Sequence, residues 1–275
     1  MIENNPLKQY FRRPSIYIKL PSNYEGYAPG VIEVPESGEL PVYPMTAIDE
    51  ITVKTPDALF NGIALVDLIK SCVPAIKDPW KLSSVDLDAV LIAIRSSSNG
   101  NDMEIQTTCP SCSEEATYGV NLVGLLSTLK SGDYATELPI NDLLIKFRPL
   151  VYKEMTEAGL GQFELQRMFA TISMLEDDQE KTTQTKEALK TITNVTMQIL
   201  SKTIQYIKTP DVFVDRNDFI LDFIQNCDKS VFEKIKNHNA MLKSQSEVKP
   251  VQVKCIHCQH GYSQVFSVNA ADFFG

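Results

Sequence analysis

The sequence predicts an α+β protein. It has a strand-rich N-terminal part and helices gathered around a two-knuckle four-cysteine site, with a mainly α-helical insertion between the two halves of that site. Two observations carry the prediction. The stretches TTCPSCSEEATYGVNLVGLL (107–126) and VKCIHCQHGYSQVFSVNAADFF (253–274) each hold Cys-x-x-Cys, then a tyrosine (Tyr118, Tyr262), then a Val-Asn step (Val120-Asn121, Val268-Asn269) leading into an apolar run. Between them, residues 152–243 are dominated by apolar positions at helical spacing, whereas residues 16–43 alternate and are broken by prolines.

Each cysteine stretch reads as one local structure: a tight turn offering two thiolates, a returning strand, and a helix start capped by Asn. Cys-x-x-Cys is the spacing at which one turn gives two sulfurs to one metal, so Cys109, Cys112, Cys255 and Cys258 are the expected ligands of a single structural zinc of zinc-ribbon type. Other chemistries fit less well. Disulfides belong to oxidising compartments, and the N-terminus MIENNPLKQYFRRPS lacks the apolar core of a signal peptide. A thioredoxin-type pair sits at a helix start, whereas polar, strand-like sequence follows here. A catalytic zinc keeps an open position, and four thiolates leave none. His257 and His260 are expected to face outward from the second knuckle. Cys72 and Cys227 fall on the apolar side of helical patterns and are assigned to the core.

The elements follow in order. Residues 1–56 are expected to form an extended arm and then irregular strands. Ile16, Ile18 and Leu20 alternate, as do Val31, Ile32 and Val34, then Leu40 and Val42; Pro29, Pro35, Pro41 and Pro44 confine these strands to edges. Residues 57–132 hold a helical pair and the first knuckle. Asp57 caps a helix carrying Leu65, Leu68, Ile69 and Cys72, ended by Pro74, and the single tryptophan, Trp80, plugs the core. Ser83-x-x-Asp86 opens a second helix to Ser96 with Leu87, Val90, Leu91 and Ile94 buried, and Met103, Ile105 and Thr107 lead into the cysteine turn.

Residues 133–250 form the insertion. A polar connection over 132–142 precedes a strand at 143–149, then a helix over 152–175 carrying Met155, Phe163, Phe169 and Ile172. EDDQEKTTQTKE (176–187) reads as a solvated loop or helix start, and residues 187–207 as a helix stopped by Thr209-Pro210. Helices over 216–227 and 230–243 follow, the second opened by Ser230-x-x-Glu233, with His238 in a structural role. Residues 251–275 complete the site with the second knuckle.

The net charge of −9 does not attract a phosphate backbone, so nucleic acid is not an expected partner. No apolar run approaches the roughly 20 residues of a membrane span, and no membrane partner is expected. The sequence contains no Gly-rich phosphate loop, His-Glu-x-x-His or Gly-x-Ser-x-Gly, and nothing in it points to an enzyme.

Three further stretches carry a resemblance. LPSNYEGY (20–27), VIEVPESGELPVYPMTAIDE (31–50) and DLDAVLIAIRSSSNGND (86–102) stand in this order before TTCPSC (107–112), with Pro44, Met45, Thr46, Ala47, Asp49 and Glu50 the most specific part. Over about the first 125 residues and the C-terminal knuckle, the chain resembles the baseplate proteins of T-even-type contractile-tailed phages. The resemblance implies a structural or assembly component of the baseplate hub. Such a component binds other tail and baseplate proteins, in the host cytoplasm during assembly and then in the virion baseplate, without catalysis. It leaves homo-oligomerisation open. Two further expectations stand beside it: a transient assembly chaperone absent from the virion, and a zinc-ribbon protein that binds nucleic acid.

Overall fold

A computed structural model describes residues 5–55, 61–266, 268 and 273–274. The fold is mixed α and β, and it divides into two compact units: residues 1–130 with 248–275, and residues 131–247.

In the first unit, β1 (Ile16–Ile18) pairs antiparallel with β2 (Leu40–Val42), placing Ile18, Leu40 and Val42 in the core. Val31–Val34 does not form the expected strand. Ile32 makes only an isolated bridge to Ile76, flanked by hydrogen bonds from Glu33 N to the Ala75 carbonyl and from Lys77 N to the Val31 carbonyl, both 2.8 Å. The arm is not wholly extended either: Pro6–Tyr10 coils into a 3-10 helix capped by the Asn5 side chain. Two long apolar helices carry the core. These are α2 (Ile63–Cys72) and α3 (Ser84–Asn99), with α1 (Ala47–Val53) packed against α2. The cap expected at Asp57 lies outside the described residues. Trp80 is only half-buried, and the core plug at that turn is Leu82. Cys72 is fully buried, as expected.

Two buried carboxylates tie the loops to this core. Asp86, wholly buried near the start of α3, accepts from the Ser22 backbone N–H (3.0 Å), Ser22 Oγ (2.5 Å), Tyr27 Oη (2.6 Å) and the capping Ser83 Oγ (3.1 Å). Loss of water and the adjacent Asp86 charge push the Tyr27 phenol far above its ordinary pKa, so it stays a donor. Asp49 closes a capping box with Thr46 at the start of α1 and also accepts from Ser71 Oγ (3.0 Å) and Arg12 Nη1 (3.2 Å). Arg12 continues the knot to the Pro44 carbonyl (2.5 Å) and the Ser71 carbonyl (2.9 Å). The most specific stretch of the resemblance, Pro44 to Glu50, is therefore a clasp for the N-terminal arm.

The second unit holds a four-stranded antiparallel sheet in the order β5 (Leu138–Ile140), β6 (Leu143–Phe147), β7 (Ile204–Lys208), β8 (Phe213–Val214). Its helices are α5 (Tyr152–Ser173), α6 (Asp178–Lys202), α7 (Asn217–Asn226) and α8 (Lys229–Ser246). The core gathers Ile140, Ile145 and Phe147 from the sheet with Leu200, Ile220, Ile224, Ile235 and Leu242 from the helices. The His238 ring packs against that of Phe147, with centroids 5.0 Å apart and planes tilted by 50°.

Several boundaries move from the expected ones. The helix placed at 187–207 begins at Asp178, because Asp177 caps it by accepting from the Gln179 and Glu180 N–H groups. It ends at Lys202, and Ile204–Lys208 crosses the sheet as its third strand. Asp228, not Ser230, caps α8. The connection at 132–142 contains β5, and on α7 Phe219 is exposed with Arg216 over its ring.

Replacing Asp86 with Ala orphans donors from the loop of residues 20–27 and from a helix start. It should cost about 3 kcal/mol. Chemical denaturation checks this: an unfolding midpoint unchanged from wild type would mean the cluster is not an anchor.

Candidate metal centre

The site is built by two hairpins in the first unit. In the first, β3 (Asp102–Thr108) pairs with β4 (Glu115–Asn121); in the second, β9 (Val251–Lys254) pairs with β10 (Gly261–Gln264). Thr108 faces Glu115, and Lys254 faces Gly261, so each turn holds six residues, 109–114 and 255–260. The two turns have the same backbone. Cys109 N donates to the Glu114 carbonyl and Cys255 N to the His260 carbonyl, at 2.9 and 2.8 Å. Ser113 N returns to the Cys109 carbonyl and Gln259 N to the Cys255 carbonyl, at 2.9 and 3.0 Å. Ser113 and Gln259, each four residues after the first cysteine, both adopt left-handed φ, 61° and 62°.

These turns bring the four cysteines together. All four sulfurs lie within 4.8 Å of one another, and among the described residues this is the one such cluster that could hold a metal ion. Cys109 Sγ stands 3.7 Å from Cys258 Sγ, and Cys112 Sγ 3.7 Å from Cys255 Sγ. Disulfide sulfurs stand about 2.05 Å apart, so these are separate thiols. Four sulfurs at about 2.3 Å from a common centre in a tetrahedron stand about 3.8 Å from each other. The observed spacing therefore fits a tetrahedral tetrathiolate, a donor set that suits a soft or borderline metal.

Burial is uneven: Cys109 and Cys255 are buried, Cys112 is half-buried and Cys258 is exposed. Without a metal, Cys255 and Cys112 shift in opposite directions. The Cys258 and His257 backbone N–H groups hold Cys255 well below its ordinary pKa. The Glu114 N–H lowers that of Cys112, but desolvation and the surrounding sulfurs outweigh it and push the thiol up. A cation bound among the sulfurs would bring the raised Cys112 thiol to the thiolate state.

Other residues join the halves. Thr107 Oγ1 donates to Gln264 Oε1 at 2.5 Å, from one hairpin to the other. Residues 101–129 contain Asp102, Glu104, Glu114 and Glu115 with no lysine or arginine, while residues 248–268 contain Lys249 and Lys254 with no acid, so the halves carry opposite charge. The two tyrosines are not equivalent. In the shared turn register Tyr118 stands where the second hairpin has Gln264, and Tyr262 where the first has Ala116. Asn121 caps α4 (Leu122–Thr128), accepting from Gly124 N at 2.8 Å. Its expected counterpart Asn269 lies outside the described residues. His257 and His260 are exposed on the second knuckle, and the His260 ring stacks on that of Tyr262. The Thr107–Gln264 link escaped the sequence reading, and overlaying the two turns on their cysteines does not reveal it, since that sets Thr107 on Val253 and Gln264 on Tyr118.

Replacing Cys255 with Ala should abolish stoichiometric metal in the purified protein and lower the melting temperature by about 10 °C, the effect of about 4 kcal/mol in a chain of this size. Replacing Cys227, half-buried in the second unit, should leave the metal content unchanged. Elemental analysis with calorimetry checks both, and equal metal in the two variants would contradict the assignment.

The comparisons with known proteins bear on what this architecture serves. The family model described as T4 bacteriophage base plate protein matches residues 35–275. No curated protein and no solved structure matches the chain. The match begins after LPSNYEGY, takes in Pro44–Glu50 and both knuckles, and runs through residues 150–245, which the resemblance read from the sequence did not reach. The chain belongs to the T4 bacteriophage base plate protein family.

Proposed function

We propose that this protein is a structural component of the baseplate hub of a contractile phage tail. It acts by binding neighbouring tail and baseplate proteins, with a structural zinc at Cys109, Cys112, Cys255 and Cys258 and no catalytic role. The observation that carries the reading is the family match across residues 35–275. The tetrathiolate spacing supports zinc: with all four positions filled by protein sulfurs, the ion would hold two hairpins together and leave no site for substrate. The proposed division of the chain is an arm with irregular strands (1–56), a helical pair with the first knuckle (57–132), a mainly helical insertion (133–250) and the closing knuckle (251–275).

The first unit also presents apolar surface suited to partners. Leu7, Tyr10, Phe11 and Tyr17 are exposed on an arm that Arg12 fixes in place. A fixed aromatic segment loses little conformational freedom on binding. The protein would act in the host cytoplasm during assembly and remain in the virion baseplate. Its acidity argues against a nucleic-acid partner, and no described helix is long and apolar enough to cross a membrane.

Quantitative mass spectrometry of purified mature tails tests the reading. The protein should be present in a fixed ratio to other baseplate proteins. Its absence from tails that contain the rest of the baseplate would overturn the structural role in favour of a chaperone that leaves after assembly.

A further inference from the structure

One half-buried arginine lacks the partner that the others have. Arg12 and Arg148 each pair with a carboxylate, Asp49 at 3.2 Å and Glu154 at 2.7 Å. Arg95, near the end of α3, has no such pair among the described residues, and its buried Nε and Nη1 have no hydrogen-bond partner. Loss of water lowers its pKa. A charge withdrawn from water in this way costs stability unless an anion meets it.

Arg95 also borders a cavity of about 280 Å³ in the first unit. The other lining side chains include Ala47, Glu50 and Lys54 of α1, Ser98 of α3, and Phe273 and Phe274. The two phenylalanines are buried and pack edge to face, so they give the cavity an apolar side. Ser98 is committed to the fold: its Oγ accepts from the Met45 N–H at 2.9 Å and donates to the Ile94 carbonyl at 2.7 Å. Glu50 and Lys54 neutralise each other at 3.1 Å. The uncompensated charge among these side chains is therefore that of Arg95, and it is positive. No partner holds the guanidinium, so it can turn a nitrogen toward the cavity it borders. Residues 47, 50 and 54 share one side of α1, and one step round that helix Ile48 and Ile51 are 76% and 70% exposed.

We propose that this cavity receives an acidic side chain of a partner polypeptide, its carboxylate paired with Arg95 and its apolar neighbours resting on Ile48 and Ile51. Three features select this occupant. The unpaired guanidinium calls for an anion, and a carboxylate matches its planar fork. One uncompensated positive charge balances one negative charge, whereas a phosphate dianion would leave a second negative charge beside Glu50. The volume lies at the low edge of pockets that enclose a whole small molecule, about 300–1,000 Å³. It suits one side chain of a longer chain, and the exposed isoleucines give the rest of that chain an apolar contact. The proposal rests on the reading above that the protein binds other tail proteins, and it names the chemistry of one such contact.

The test uses the full-length protein with its metal retained, and peptides of about 15 residues that tile the other tail proteins of its own phage. Fluorescence anisotropy reads their binding. The peptides that bind should carry Asp or Glu, and replacing that acid by its amide should weaken binding at least tenfold, the effect expected of a charged hydrogen bond. Arg95→Gln should weaken it equally, whereas Lys208→Gln, which removes the same charge from the second unit, should not. Acetate should displace the peptide only at a concentration about a hundredfold higher than the unlabelled peptide needs, since it lacks the contact with the isoleucines. Arg95→Met should leave the melting temperature unchanged or raised, because the unpaired charge does not serve the fold. Binding that ignores the acid or survives Arg95→Gln, no binding by any peptide, or acetate competing as well as the peptide would overturn the proposal. So would a fall of about 5 °C or more in the melting temperature of Arg95→Met, which would make Arg95 a structural residue. None of these results would alter the amount of the wild-type protein in mature tails, so the site and the structural reading fail separately.

Discussion

The structure depends on the meeting of four cysteine sulfurs contributed by segments on either side of residues 113–254. Closing so long a loop costs about 4 kcal/mol in chain entropy, since that cost grows only with the logarithm of length. A structural zinc in small peptides contributes about 10–16 kcal/mol of apparent binding free energy. The tetrathiolate can therefore hold both hairpins shut with a large insertion between them, and the insertion is free to form a unit with its own core. The second hairpin needs that help. Four paired residues on each strand make a sheet too small to stand alone, and β9 and β10 bury only Val253 between them. The Thr107–Gln264 bond and the opposed charges of the halves add direction, bringing an acidic hairpin to a basic one.

Around this staple, the polar stretches that make the chain recognisable are anchors. Asp86 gathers the loop of residues 20–27, and Asp49 with Arg12 gathers the arm and the start of α1. Each carboxylate is buried and surrounded by donors, the condition under which a charge inside a protein is tolerated. Their geometry serves folding: Ser22, Tyr27, Ser83 and Asp86 look like a reactive constellation in a list of residues, yet every polar atom named is spent on holding one loop to one helix. Apolar surface among the described residues includes the arm residues Leu7, Tyr10 and Phe11.

Much of this was legible in the sequence, where the signal is local. Cys-x-x-Cys announces a tight turn that presents two sulfurs, Ser83-x-x-Asp86 announces a helix start, and an apolar stripe announces α3. The overlooked elements are those whose signal is weak or whose stability is tertiary. Helix α1 is short, and its Thr46-x-x-Asp49 box was masked by the prolines before it. Ile204–Lys208 continues the apolar rhythm of α6 through one more turn, and only pairing with β6 turns it into a strand. The charged run at 176–187 reads as a loop until Asp177 is seen as a cap, and β5 and β8 are too short to be legible without their neighbour strands. The two tyrosines misled for a different reason: similar spacing suggested equivalence, but the turn hydrogen bonds fix the register and shift one tyrosine by two positions.

The central claim is that one metal ion joins two remote hairpins through sulfur alone. X-ray absorption spectroscopy at the zinc edge, on freshly purified reduced protein, tests it most directly. The account predicts one zinc per chain with four sulfur neighbours at about 2.3 Å and no lighter atom in the shell. A shell containing nitrogen or oxygen would mean that His257, His260 or water replaces a cysteine, and protein without bound zinc would remove the staple on which the architecture is argued to rest.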